Sequence, residues 1–233
     1  MALTMTLDYE VIVRGNNLRL RDDFLGMSSI TLLHLPQGLM LVDTGGYISR
    51  LGLIKALKDR GLARDDIKFV FLTHLHFDHS HNVDLIPHAT FFVSRAEWVY
   101  SQNPHPEDIL MPWCIHDQLQ KGALEIIDGE ATLFAGLGYF ATPGHTPGCY
   151  ALQFVASDGA RVVIAGDAIK YAKEAITARC DNAFDTIEIG TRSIQRILQS
   201  ADRIVPGHFP ELIRIDNGAF TWNDSAEFSL LVR

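Results

Sequence analysis

Cysteines and long apolar runs are both scarce in this sequence. Its 233 residues include three cysteines, Cys114, Cys149 and Cys180, which form neither a CxxC pair nor a disulfide framework. Such spacing favours a reducing cytoplasm. No run reaches about 18 uninterrupted apolar residues, and Asp8 and Glu10 stand near the start, so we expect neither a membrane span nor a signal peptide.

Basic residues are outnumbered as well. Lysine and arginine total 20 against 28 aspartates and glutamates, which gives a formal net charge of −8. A broad nucleic-acid surface needs clustered basic side chains, so the composition favours a small-molecule substrate over a nucleic acid. There is no repeat, linker or low-complexity segment, which predicts one domain over residues 1–233 and leaves a homodimer open as the assembly.

A dense polar run follows a buried strand predicted over 67–72. Four candidate metal ligands fall within six residues: His74, His76, Asp78 and His79. In an extended segment His74 and His76 point to the same side and can share one ion. No single regular structure brings all four to one ion, so we expect the first pair to serve one metal and the second pair another.

The remaining candidates also follow apolar strands. Strands predicted over 38–42, 139–142, 161–165 and 203–205 are followed by Asp43, His145, Asp167 and His208, respectively. Strand ends on one edge of packed sheets converge, so these side chains should meet the polar run. Asp43, followed by Thr-Gly-Gly, is predicted to form a tight turn and to orient the metal-bearing loops.

Convergence of these strand ends predicts two sets of ligands. His74, His76 and His145 supply three neutral imidazoles, which are typical of zinc. Asp78, His79 and His208 form the second set, and the carboxylate of Asp167 can bridge both ions.

The other elements predict an α/β chain. Residues 15–26 are expected to form an exposed loop that overhangs the site. A helix is predicted over 48–61, with Ile48, Leu51, Ile54 and Leu57 as its apolar face. Residues 96–122 predict a short helix and an irregular loop, either a surface excursion that packs its own aromatics or the wall of a substrate pocket. Further strands are predicted over 9–13, 29–33, 89–93, 125–127, 150–155, 211–215 and 228–232, and a further helix over 183–200.

The complete motif resembles the signature of the metallo-β-lactamase superfamily. The signature corresponds to His74-x-His76-x-Asp78-His79, with later ligands at His145, Asp167 and His208 and an early aspartate at Asp43. The resemblance covers most of the chain. It implies an α/β fold, an αββα sandwich of two mixed β-sheets flanked by helices, with a dinuclear metal site in the cleft between the two halves.

Differences from the superfamily signature narrow the choice of subfamily. Class B β-lactamases commonly carry cysteine where Asp167 stands, which disfavours antibiotic hydrolysis. Quorum-quenching lactonases have similar ligand spacing but usually carry tyrosine three residues after the bridging aspartate, where this chain has Lys170 followed by Tyr171. The compact build is also similar to short metallo-β-lactamase-domain proteins whose animal members are linked to RNA processing, although the acidic balance argues against RNA.

These features predict a dinuclear metal-dependent hydrolase. Two divalent ions, with zinc favoured and iron, manganese, cobalt or nickel also suited to the ligands, would share a water and lower its pKa toward about 7. The resulting hydroxide would attack an ester, lactone, thioester or phosphoester. Asp78 is expected to pass a proton to the leaving group, and Tyr171, Lys170 or His116 to donate to the oxyanion.

Three alternatives compete with this prediction. One is a mononuclear iron oxidoreductase, similar to the persulfide dioxygenases of the superfamily, with iron held by His74, His145 and Asp167. Another is an RNA or phosphodiester nuclease. A non-enzymatic, metal-stabilised binding protein is the third, and the intact ligand set disfavours it.

Overall fold

Two β-sheets stack face to face in the computed structural model, which describes residues 5–223. The strands of the first sheet lie in chain order, antiparallel from β1 to β3 and parallel from β3 to β6. They are β1 (Asp8–Val13), β2 (Ile30–Leu35), β3 (Gly38–Val42), β4 (Ile67–Phe71), β5 (Thr90–Ser94) and β6 (Ala123–Ile127). This sheet is therefore mixed, as predicted.

The second sheet is also mixed. Its strands run β13-β12-β11-β10-β9-β8-β7 across the sheet, and β10 and β11 form its parallel pair. They are β7 (Ala131–Phe134), β8 (Leu137–Ala141), β9 (Tyr150–Val155), β10 (Arg161–Gly166), β11 (Arg203–Pro206), β12 (Leu212–Arg214) and β13 (Phe220–Thr221).

Helices cover the outer faces of both sheets. They are α1 (Arg50–Asp59), α2 (Phe77–Ser80), α3 (Arg95–Tyr100), α4 (Ile115–Leu119), α5 (Ala172–Thr177) and α6 (Ile187–Ser200). Short 3₁₀ turns adjoin α1, β4 and α2. No helix among the described residues is both long and apolar enough to cross a bilayer.

Three apolar layers hold the sandwich together. Adjacent strand residues point to opposite faces, so Met40 packs between the sheets while Leu41 packs against the helices of the first sheet. In the same way Ile164 faces the space between the sheets and Val163 faces α5 and α6. Burial on both faces explains the nearly continuous apolar runs of these strands. The αββα sandwich predicted from the motif is confirmed.

Helix α1 lies within the predicted segment but is shorter, and of the four residues predicted for its apolar face only Leu57 is buried. Leu53, Ala56 and Leu57 are buried, whereas Ile48, Leu51 and Ile54 are exposed. Successive residues three apart drift by about 60° around a helix, so the predicted series spreads over half of its circumference. The observed residues are three or four apart and share one side.

Other boundaries also differ from the predictions. The helix predicted over 183–200 begins at Ile187, because Thr186 caps it by accepting a hydrogen bond from the Ile189 N–H at 3.1 Å. Strand β7 and helix α5 were not predicted, since both are short and lack a clear period. The strand predicted over 228–232 lies outside the described residues.

Candidate metal centre

The predicted ligands meet in one buried cluster at the edge of both sheets. The loop after β4 carries His74, His76, Asp78 and His79, and α2 begins within it. His145, Asp167 and His208 follow β8, β10 and β11. In each of three overlapping groups the ligand atoms lie within 4.8 Å of one another: His74, His76 and His145; His74, His79 and Asp167; and Asp78, His79 and His208. All seven residues are at most 6% exposed.

Asp167 lies between the two predicted sets. Its Oδ2 is 3.3 Å from Nε2 of His145, while its Oδ1 is 3.2 Å from Nε2 of His79 and 3.3 Å from Nε2 of His208. Each carboxylate oxygen therefore faces a different set. This arrangement suits a carboxylate that bridges two cations.

Several ligand atoms have no hydrogen-bond partner among the described residues. Nε2 of His74 is buried in this way, and Nε2 of His79 and Oδ1 of Asp167 face each other at 3.2 Å without a hydrogen bond of normal geometry. A buried polar atom without a hydrogen bond costs about 1–3 kcal/mol, so three such atoms in one cluster fit a site that binds a cation. Imidazole nitrogens and carboxylate oxygens are the donors that divalent transition metals accept, and the residues fit such ions.

Hydrogen bonds to Asp43 orient two of the histidines. The outer Nδ1 of His79 donates to Oδ2 of Asp43 at 2.7 Å, which turns the free Nε2 toward the cluster. Thr73 donates its hydroxyl proton to the same carboxylate at 2.9 Å, so its oxygen accepts from Nδ1 of His74 at 3.1 Å. Asp43 itself adopts a left-handed backbone, with φ of 60°, and accepts from the Thr73 N–H at 2.8 Å. Asp43 therefore contacts the ligand loop, as predicted, but residues 43–46 form an irregular segment rather than the predicted tight turn.

Two further histidines are held from other parts of the chain. Nε2 of His76 donates to Oδ2 of Asp108 at 3.0 Å, which leaves Nδ1 of His76 facing Nε2 of His145 at 3.0 Å. Nδ1 of His208 donates to the backbone oxygen of Met27 at 3.0 Å. Both contacts fix the orientation of the imidazole ring before any ion binds.

Asp108 was not predicted as a site residue. It lies in the segment 96–122, where aromatic residues and prolines gave no periodic signal. The Tyr100 hydroxyl also donates to it at 2.7 Å, and the Phe77 N–H donates to the Leu110 carbonyl at 2.9 Å. These contacts favour the interpretation that this segment forms a wall of the pocket.

The two sets differ in their protonation without ions. Burial lowers the pKa of His74 and of His145 well below its usual value, so both rings are neutral and can bind a metal. Burial also tends to lower the pKa of His208, but the negative charge of Asp167 outweighs burial and raises that pKa to about 10. The pKa of His79 is also raised, because Asp167, Asp43 and Asp78 outweigh its burial. A negative field that retains protons here also attracts divalent cations.

A cavity of about 310 Å³ opens over the cluster. The segment predicted to overhang the site forms an irregular hairpin, with bridges between Asn16 and Met27 and between Arg19 and Phe24. Arg19 and Phe24 line the cavity, as expected for an overhanging loop. The cavity is also lined by Phe77, Leu110, Lys170, Tyr171 and Asn182.

The three candidate oxyanion donors occupy different settings. Lys170 lines the cavity, and its Nζ donates to Oε1 of the buried Glu174 at 2.7 Å. Tyr171 also lines the cavity, and its hydroxyl donates to Asp181 at 2.7 Å. The structure does not bring His116 to the cavity, since its ring stacks on Trp98 with centroids 3.9 Å apart.

A family model described as the metallo-beta-lactamase superfamily matches residues 23–208. The chain therefore belongs to the metallo-β-lactamase superfamily. The motif-based resemblance and the observed sandwich agree with this assignment.

Curated relatives and solved structures point in the same direction. The chain is 32% identical over 197 residues to metallo-beta-lactamase domain-containing protein 1 of Xenopus laevis, covering 84% of this chain and 77% of the relative. It spans 64% of the mouse protein of the same name. An N-acyl homoserine lactonase of a Bacillus species is 30% identical over 189 residues, with 71% and 73% covered. The dizinc quorum-quenching lactonase AidC, solved with a product, superposes with a TM-score of 0.71 at 22% identity, covering 88% of this chain and 82% of that one.

Proposed function

We propose that this protein is a dinuclear metal-dependent hydrolase that opens small lactones or esters. The observation that carries this proposal is the buried cluster in which two ligand sets share Asp167 and several ligand atoms have no partner. Membership of the superfamily supports the coarser conclusion of a metal-dependent hydrolase. Homology to a lactonase favours the finer one.

We assign the seven candidate ligands to two ions as the motif predicts. His74, His76 and His145 would hold one divalent ion, Asp78, His79 and His208 the other, and Asp167 would bridge them. Zinc suits this mixture of imidazole and carboxylate best. Bound ions of this kind supply Lewis acidity and lower the pKa of water toward about 7, which provides hydroxide at neutral pH.

Asp78 is our candidate for moving the proton. It lines the cavity, and its Oδ2 lies 3.2 Å from Nε2 of His208. Burial tends to raise the pKa of Asp78, but the neighbouring His79 and His208 outweigh it and keep that pKa low. The carboxylate is therefore ionised, and it can accept a proton and pass it to a leaving oxygen.

Lys170 and Tyr171 are our candidates for stabilising the oxyanion. An ammonium group has three N–H donors, and Lys170 donates a short hydrogen bond to Glu174 at 2.7 Å and a longer one, at 3.4 Å, to the Asn182 carbonyl. A third donor is available for a substrate oxygen in the cavity. The Tyr171 hydroxyl would have to leave Asp181 to do the same, so we place Lys170 first and Tyr171 second.

The apolar part of the cavity favours a substrate with a hydrocarbon portion. Phe24, Phe77 and Leu110 line it beside the ligand cluster. A cavity of about 310 Å³ suits a small molecule. The lactonase relatives are named for N-acyl homoserine lactones, which are acylated small molecules.

Elemental analysis combined with a substrate panel tests this proposal. We expect about two equivalents of zinc per chain, and faster hydrolysis of acyl lactones than of thioesters or phosphodiesters. Chelation should abolish the activity, and added zinc should restore it. One iron per chain together with oxygen uptake would instead establish the mononuclear oxidoreductase.

Substitution of the two candidate donors tests their roles separately. Lys170→Met should lower kcat more than it raises KM, because the donor acts on the charge that develops in the transition state. Tyr171→Phe should have the smaller effect. Unchanged kcat in both variants would remove both residues from oxyanion stabilisation.

A further inference from the structure

One buried carboxylate joins the two loops that carry the three-histidine set. Glu97 of α3 is 1% exposed. Its Oε1 accepts a hydrogen bond from the Leu75 N–H at 2.8 Å, and its Oε2 accepts from the Thr146 hydroxyl at 2.6 Å. Leu75 lies between His74 and His76, and Thr146 follows His145. The two oxygens therefore connect the chain on either side of the cluster.

The position of Glu97 is itself fixed by the second loop. Ser94 caps α3 by accepting from the Glu97 N–H at 3.0 Å and donates to the Gly148 carbonyl at 2.6 Å. A side chain at Gly148 could not fit, because its Cβ would lie 2.0 Å from the Glu97 nitrogen. The start of α3 is thus pressed against the loop that follows His145.

Glu97 does not form the capping-box hydrogen bond that the surrounding sequence predicts. Ser94-x-x-Glu97 matches a capping box, in which the glutamate would turn back to the N–H of Ser94. Here the carboxylate instead points to Leu75 and Thr146. Among residues 5–223, no lysine or arginine forms an ion pair with Glu97, and burial raises the pKa of its carboxyl group. The two hydrogen bonds to the ligand loops therefore offset part of an unfavourable burial.

The second ligand set depends on different groups. Ser28 donates to the Asp78 carbonyl at 2.5 Å, Thr44 donates its N–H to the His79 carbonyl at 2.7 Å, and Met27 accepts from His208. None of these contacts involves Glu97. Asp43 contacts both sets, through His79 and through Thr73 beside His74, but the hydrogen bonds of Glu97 reach only the loops of the three-histidine set.

We propose that Glu97 is a positioning residue that sets the separation of His74 and His76 from His145. Its removal should weaken metal binding at the three-histidine set and leave the set of Asp78, His79 and His208 nearly unchanged. This inference rests on the proposed two-metal function, and it concerns the support of one ion rather than the reaction.

Cobalt titration followed by visible absorption tests this selectivity in the full-length protein. We expect Glu97→Ala to bind the cobalt ion at the three-histidine set about 10–100-fold more weakly, as is typical when a group that orients a ligand is lost. Glu97→Gln should recover most of the affinity. Its amide oxygen can still accept from Leu75, and its amide nitrogen can donate to Thr146, whose proton can then turn to Sγ of Cys149 at 3.1 Å.

Two backgrounds identify which ion is affected. In His208→Ala, which retains the three-histidine set, adding Glu97→Ala should remove most of the remaining binding. In His145→Ala, which retains the other set, the same change should alter the affinity by less than about threefold, the variation expected of sites that do not interact. Equal losses in the two backgrounds, or no loss in either, would overturn the proposal.

A stability control distinguishes the loss of a positioning contact from a general loss of protein stability. Leu53→Ala removes a buried side chain of α1 in the apolar layer on the outer face of the first sheet, and it should lower the melting temperature without changing either cobalt affinity. If Glu97→Ala is too unstable to titrate, Thr146→Val removes one of the two hydrogen bonds of Glu97 instead: a loss of affinity at the three-histidine set alone supports the inference, and no loss, or an equal loss at both sets, contradicts it. Wild-type stoichiometry tests the proposed function independently of these ratios.

Discussion

Two cavities of this chain are lined by charged side chains, and they use those charges in different ways. The cavity over the metal centre has a volume of about 310 Å³, whereas a second one, here called the remote cavity, has about 510 Å³. In the remote cavity, Arg60 pairs with Glu10 at 2.9 Å and Arg203 pairs with Asp158. In the candidate metal centre, carboxylates and imidazoles converge, and several of their buried atoms form no hydrogen bond of normal geometry.

The contrast shows that pairing of charges marks the candidate site better than volume does. Ion pairs on a protein surface contribute only about 0–1 kcal/mol to the free energy of unfolding, and their charged groups are already satisfied by each other. Buried lone pairs without partners persist only where something else satisfies them. Four predictions test this difference, from the largest expected effect to the smallest.

The largest effect should come from the residue shared by both ligand sets. Asp167→Ala removes a ligand atom from each, so we expect loss of metal and a fall in kcat/KM on the order of 10³-fold, equivalent to several kcal/mol. Metal analysis and lactone hydrolysis measure the two effects. Retention of both would exclude Asp167 from the bridging role.

A smaller loss should follow from a change beside the ligands. Asp43→Asn keeps an acceptor for the Thr73 N–H and tolerates the left-handed backbone, but it removes the charge facing His79. We expect metal affinity to fall about 10–100-fold. Competition with a chromophoric chelator measures this, and wild-type affinity would show that His79 needs no such partner.

The metal-free protein should lose stability as the pH rises. Without ions the pKa of His208 in the folded state is about 10, above its usual value near 6.5. Its contribution is therefore complete below about pH 6.5 and is lost as the pH rises through about 10. Urea unfolding across this range should show the decline. Zinc should remove the slope, because a bound ion replaces the proton, and an identical slope with zinc would argue against binding at His208.

The smallest effect on activity should come from the remote cavity. Tyr9→Phe removes a hydroxyl that donates to Glu211 but keeps the ring packed on Phe154 at 5.2 Å. We expect a stability loss of about 1 kcal/mol and activity within about twofold of wild type. Thermal melts and lactone hydrolysis measure the two quantities. A large loss of activity would mean that this cavity serves the reaction after all.

The convergence of the candidate ligands could be predicted because their signal is local. His74 to His79 interrupt an apolar strand, and His145 and His208 each follow a Pro-Gly pair at a strand end. Asp43 stood out for the same reason, as a carboxylate between a strand and two glycines. Such features depend on a few neighbouring residues, which a single sequence displays directly.

Two supporting residues, Asp108 and Glu97, could not be predicted, because their roles arise from distant contacts. Asp108 meets His76 across 32 positions of the chain, and Glu97 meets Thr146 across 49. Neither has a spacing that signals the contact. The Lys170–Glu174 ion pair, by contrast, has i,i+4 spacing, which sequence reasoning could have identified.

The division of ligands between the sheets has a consequence for biosynthesis. The first sheet ends at residue 127 and the second begins at residue 131, so the two halves leave the ribosome one after the other. Each proposed ion needs ligands from both halves: His145 must join His74 and His76, and His208 must join Asp78 and His79. Metal capture would therefore complete maturation rather than start it. In a cell short of the metal, the chain would form its sheets without the stabilisation that bound ions supply. Proteases would then degrade this metal-free form before the metal-bound form.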